Sequence, residues 1–112
     1  MAAAGIKLLT LSVIATAALT QFRAVTAAGA LPAAGARALG IADFSGAIGE
    51  RVSVGAMGSV PAETGAAVTA GAALEVDALG RLIPKNTGVA VAHALGSSSG
   101  AGQVIEVLLI PN

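Results

Sequence analysis

Gly88-Val89-Ala90-Val91-Ala92-His93-Ala94-Leu95-Gly96-Ser97-Ser98-Ser99-Gly100-Ala101-Gly102-Gln103-Val104-Ile105-Glu106-Val107-Leu108-Leu109 holds two alternating runs, 89–94 and 103–109, around a Gly/Ser loop. A side-chain period of two marks a strand, and the glycines and serines between the runs mark a turn. A weaker copy lies upstream: Gly40-Ile41-Ala42, a loop at 43–48, then Gly49-Glu50-Arg51-Val52-Ser53-Val54. Both units enter their second strand through Gly, then Glu or Gln, then alternating valine or isoleucine. A chain that repeats this device and carries few reactive side chains reads as a small β scaffold built for surface contact.

Working outward, Gln21–Ala28 forms a short strand anchored by Phe22, and 29–35, with Pro32 among glycines and alanines, is a loop. Arg37–Ile41 alternates. Short strands at 51–54 and 57–60 flank Gly55, which reads as a bulge or tight turn, and Pro61 ends the run. Residues 62–72 have no clear period. Ala73–Asp77 alternates, Asp77 to Gly80 turns and Arg81–Ile83 returns, a hairpin pattern. Short strands at regular spacing without an amphipathic helix predict an all-β fold, a small β-barrel or β-sandwich. The alanine-rich stretches leave room for one short helix.

The sequence has 112 residues, enough for one small domain with a thin core. Its hydrophobic fraction of 55% overstates that core, because about a quarter of the chain is alanine, which buries little area per residue. Formal net charge is zero and charged residues make up 11%. With no basic run to neutralise phosphates and no aromatic pair to stack bases, nucleic-acid binding is excluded. Cysteine is absent, and His93 is the single histidine. Thiolate and clustered-imidazole metal sites are therefore excluded.

The N-terminus imitates a secretory signal: Lys7, an apolar stretch from Leu8 to Leu19, and Ala15-Thr16-Ala17 as a cleavage site. A strand fits better. Thr10, Ser12, Thr16 and Thr20 fall on even positions, and Leu9, Leu11, Val13, Ala15, Ala17 and Leu19 on odd ones. The stretch is too short and too polar to span a bilayer. Residues 1–20 are accordingly an extended N-terminal arm or first strand, and 21–112 the β domain. In the arm reading the apolar face, Leu9, Leu11, Val13 and Ala15, contacts a neighbouring chain by strand addition.

Three constellations resemble chemistry. Gly96-Ser97-Ser98-Ser99-Gly100 matches the Gly-x-Ser-x-Gly nucleophile elbow, but that motif needs a strand-to-helix turn and a triad, whereas here a strand follows and no third member is evident. His93 alone reads as a half-exposed strand residue. Glu75, Asp77 and Glu106 lack the compact ligand run of a cation loop. No phosphate-binding glycine motif is present. No catalytic, metal or cofactor site is expected, and no small-molecule substrate.

The runs Ala15-Thr16-Ala17-Ala18-Leu19, Val25-Thr26-Ala27-Ala28-Gly29-Ala30, Gly71-Ala72-Ala73-Leu74-Glu75-Val76-Asp77-Ala78-Leu79-Gly80-Arg81, Gly88-Val89-Ala90-Val91-Ala92 and Glu106-Val107-Leu108-Leu109-Ile110-Pro111-Asn112, in this order, resemble the capsid cement, or head decoration, proteins of tailed bacteriophages. The resemblance implies a β-clip-like fold and a non-enzymatic role on the outer surface of the phage head, after synthesis in the host cytoplasm. It implies the major capsid protein as partner and a homo-oligomer, a trimer, as the assembled form. A competing reading is a secreted or surface-exposed β binding domain with a cleaved signal peptide.

Overall fold

The computed structural model describes residues 5–112. It contains eight strands and, among the described residues, no helix: β1 Lys7–Ile14, β2 Ala24–Val25, β3 Gly40–Ala42, β4 Arg51–Glu63, β5 Ala73–Val76, β6 Leu82–Pro84, β7 Ala92–Ala94 and β8 Val104–Leu109. The ladder order is β2-β3-β4-β8-β7-β5-β6, with β1 also paired to β4, and every strand pair is antiparallel. Just past β4, Thr64 forms a parallel bridge to Leu82 on β6, and the Gly65 amide donates to the Leu82 carbonyl at 2.8 Å. That contact nearly closes β4-β8-β7-β5-β6 into a barrel; the fold is all-β as expected, and of the barrel and sandwich alternatives it is the barrel that forms.

β4 belongs to two sheets at once. Through Gly58 it pairs with β1, and at Val54 and Gly55 also with β3; from Ser59 to Glu63 it pairs with β8. The change of partner coincides with two irregularities. Gly58 has φ 92°, open to glycine but costly for other residues, and the β1 register slips between Lys7 and Thr10 opposite it. Such bulges bend a strand and sharpen its twist.

The bend divides the core. One cluster lies between the strands of the ring, with Val60, Ala62, Leu74, Val76, Leu82 and Val107 almost wholly buried. The other gathers Val13, Ala15, Leu19, Val25, Ala42, Val52 and Val54. The β2–β3 ribbon separates the two, and strand alternation decides which residue goes where. Ala24 and its partner Ile41 enter the first cluster, while Val25 and Ala42 enter the second.

Several sequence expectations are corrected here. The predicted strands on either side of Gly55 are one strand, and Pro61 lies within it. The flanking odd-numbered amides explain why: Ser59 donates to Ile6 and Glu63 to Phe22, both away from β8. Pro61 has the same parity, so its missing N–H faces the side where no ladder bond is required. Gly55 does border a bulge, as expected: Thr10 pairs with Gly55 and Leu9 with Met57, which leaves Ala56 without a partner, and a Cβ on Gly55 would crowd the Val60 side chain. Phe22 does not anchor a strand. It sits at φ 68°, a turn conformation, and β2 begins only at Ala24. The alternating run 89–94 shortens to β7, although Val91 still donates to the Leu74 carbonyl at 2.9 Å.

The expected hairpin at 77–80 is present. Asp77 Oδ1 accepts from the Leu79 and Arg81 amides, both at 2.9 Å, and Gly80 takes φ 80°.

Residues 7–14 pair with β4 as a strand of the domain's own sheet in this structure. Val13 and Ala15 lie in the second core, 9% and 1% exposed. A chain lacking residues 1–17 is therefore expected to lose its β signature in far-ultraviolet circular dichroism and its cooperative melt. A truncated chain that melts like the full one would make β1 a dispensable appendage.

Candidate functional site

Apart from His93, the side chains singled out for chemistry serve the fold. Ser98 is buried, and its Oγ donates to the Ala66 carbonyl at 3.0 Å while its backbone exchanges hydrogen bonds with Val68. It closes a loop; a nucleophile would need a free hydroxyl beside a base. His93 is exposed on β7, between Ala73 and Leu108 on the neighbouring strands.

The three carboxylates are likewise engaged, each in its own place. Buried Glu75 accepts from the Asn86 and Gly88 amides, pinning the loop after β6. Asp77 caps its own turn and pairs with Arg81 at 3.2 Å. Glu106 accepts from Ser59 Oγ at 2.7 Å. Among the described residues, no three His, Cys, Asp or Glu side chains cluster as metal ligands would. No helix among them is long and apolar enough to cross a membrane.

The predicted contact face splits in two. Val13 and Ala15 are core residues because they pack with Leu19, Val25, Ala42, Val52 and Val54, and the Thr16 amide donates to the Gly29 carbonyl at 2.9 Å just beyond them. They cannot meet a partner without unfolding the edge. Leu9 and Leu11 lie outside that cluster, 40% and 39% exposed. They line an open groove of about 470 Å³ together with Met57, Leu39, Arg37 and Ile110, among others. The groove continues the second core past its rim, since Leu11 pairs with Val54 and Val13 with Val52 on the same face. The C-terminal residues form its end wall. Ile110 donates to the Val91 carbonyl at 2.9 Å, and Asn112 Oδ1 accepts from the Ala38 amide at 3.0 Å.

Sequence reading missed Arg37, Met57 and the tail as members of this surface. They come from three distant segments, and periodicity within one segment carries no information about such a meeting.

A family model described as phage cement protein matches residues 3–109. The chain belongs to the phage cement proteins. Its architecture is also similar to a solved structure, the head fiber gp8.5 N base in bacteriophage phi29, with a TM-score of 0.70 and 12% identity over 91% of this chain and 93% of that one. At that identity the likeness speaks to the fold. A comparison with curated protein sequences finds no match. For this cement protein the family carries a structural role in the phage capsid, and the side chains above fit it.

Ser98→Ala should destabilise the domain by about 1 kcal/mol through loss of one hydrogen bond, whereas His93→Ala should leave its melting temperature unchanged. Neither should alter association with capsids. A folded variant of either kind that no longer associates would give that residue a functional role.

Proposed function

We propose that this cement protein binds the outer surface of a phage head and stabilises the lattice of the major capsid protein, acting without catalysis or cofactor. The family match over residues 3–109 carries the reading. The surface supports it: zero net charge, and large apolar side chains left exposed, with Leu8 at 76% and Ile48 at 71%. Such side chains gain from being covered on assembly. Leu9 and Leu11 are the proposed contact residues from the original four. The assembled form is a closed homo-oligomer, a trimer, as the resemblance implies, with the exposed apolar residues of loop 43–48 available to it.

The secreted alternative is disfavoured. A signal cleaved after Ala17 would remove β1 together with Val13 and Ala15 from the second core.

Purified protein should co-sediment with expanded capsid shells and raise the temperature at which they disrupt. Failure to co-sediment under any salt condition would overturn the reading. In a density map of decorated shells the copies should touch in threes, and isolated single copies would refute the trimer.

A further inference from the structure

The free edge of β1 and the groove beside it share one chemistry. Ser53 turns its carbonyl away from β1, to the Asp43 amide at 2.9 Å. Val52 and Val54 therefore face β1, and Val13 and Leu11, their partners, face back. By the same parity, Thr10 and Ser12 direct their main-chain N–H and C=O groups outward. From Ile14 onward loop 26–30 covers this edge; Thr10 and Ser12 remain exposed. Free edges are commonly guarded by charge or proline, yet Leu8 to Ile14 contains neither. Unpaired main-chain groups next to an apolar groove fit an extended peptide. Its backbone continues the ladder, and its alternate side chains enter the groove against Leu9, Leu11 and Met57.

Charge favours a peptide of another protein over one of a second copy. Among the described residues Lys7 pairs with Asp43, Arg23 with Glu63 and Arg81 with Asp77. Arg51 donates to Ser12 Oγ and Lys85 to the Asn86 carbonyl. Arg37, on the groove wall, has no side-chain partner among them. The chain has six carboxylate side chains, and each is engaged internally. Asp43, Glu63 and Asp77 are in the ion pairs. Glu75 and Glu106 hold the bonds described above, and Glu50 accepts from the Ala47 amide at 2.6 Å. To meet Arg37, a side-chain carboxylate of a second copy would have to share or give up a bond inside its own chain, Glu50 at the exposed loop included.

We propose that the β1 edge and its groove receive an extended segment of a different protein, with apolar residues at alternate positions and a carboxylate that meets Arg37. Under the cement reading, on which this rests, the donor is the major capsid subunit. Leu9 and Leu11 thus act as walls of a receiving groove on a docked strand.

The test is co-sedimentation of the full chain with expanded shells across a salt series, alongside hydrogen exchange with and without shells. The Ser12 amide should exchange freely in the isolated protein and become protected on shells. Arg37→Gln, at an exposed side chain, should bind roughly tenfold more weakly at low salt and flatten the salt dependence. Ser12→Pro, checked for folding by circular dichroism, should weaken binding by removing an outward N–H. Wild-type binding with no Ser12 protection and an unaltered Arg37→Gln salt curve would overturn the site and leave the cement function standing. Absence of wild-type binding would overturn both. Concentration-dependent protection of Ser12 without shells would identify a second copy as the occupant and overturn the assignment to a different protein.

Discussion

The fold depends on one strand keeping its ladder while changing its neighbours. β4 runs from Arg51 to Glu63 and joins β1 and β3 at one end to β8 at the other. Without that continuity the ring and the second core would be separate, and each would be too small to stand alone. Glycine makes it possible at the crossing. Gly58 supplies the left-handed backbone, and the Gly40–Gly55 approach lets β3 lie close against the bend. The proline is harmless because its nitrogen faces the unladdered side.

A core of valine, alanine and a few leucines gives little area per residue, and much of the definition of this molecule comes from its polar groups. Every buried side-chain nitrogen or oxygen among the described residues has a hydrogen-bond partner. Thr64, fully buried, reaches the Gly100 and Gln103 carbonyls at 3.1 Å, and Glu75 fastens the 85–88 loop. Polar groups of this kind are costly if left unpaired, so they select one loop arrangement over others of similar apolar burial. The same closure leaves few charges available to partners.

The strands were legible where both faces differ. Alternation marked β1, β5 and β8, and Asp77 with Gly80 marked the hairpin, because those signals are local. The loop–strand device at 88–109 returned as β7 and β8, although only three residues of its first run keep ladder geometry. Illegible were the matters decided by distant partners: that β4 continues through Gly55 and Pro61, that Phe22 turns, and that half of the proposed contact face is core. Val13 and Leu11 look alike in sequence. Val13 is a core residue because it meets Val52, Val25 and Leu19 in the second cluster, whereas Leu11, two residues along the same face, lies on the groove wall. Arg37 was invisible for the same reason.

The β1–β4 ladder is antiparallel and aligned with both strands, so a pull from the Ile14 end of β1 against the ring slides the strands past each other and shears the ladder. From Leu11 to Ala15 the cross-strand bonds run perpendicular to that pull, and Ala15 adds its bond to the Glu50 carbonyl at 2.8 Å. Loaded side by side, these bonds must fail together, whereas a zipper opened from one end loses them singly. A tug delivered to the edge strand therefore passes into β4, and through β4 into the ring.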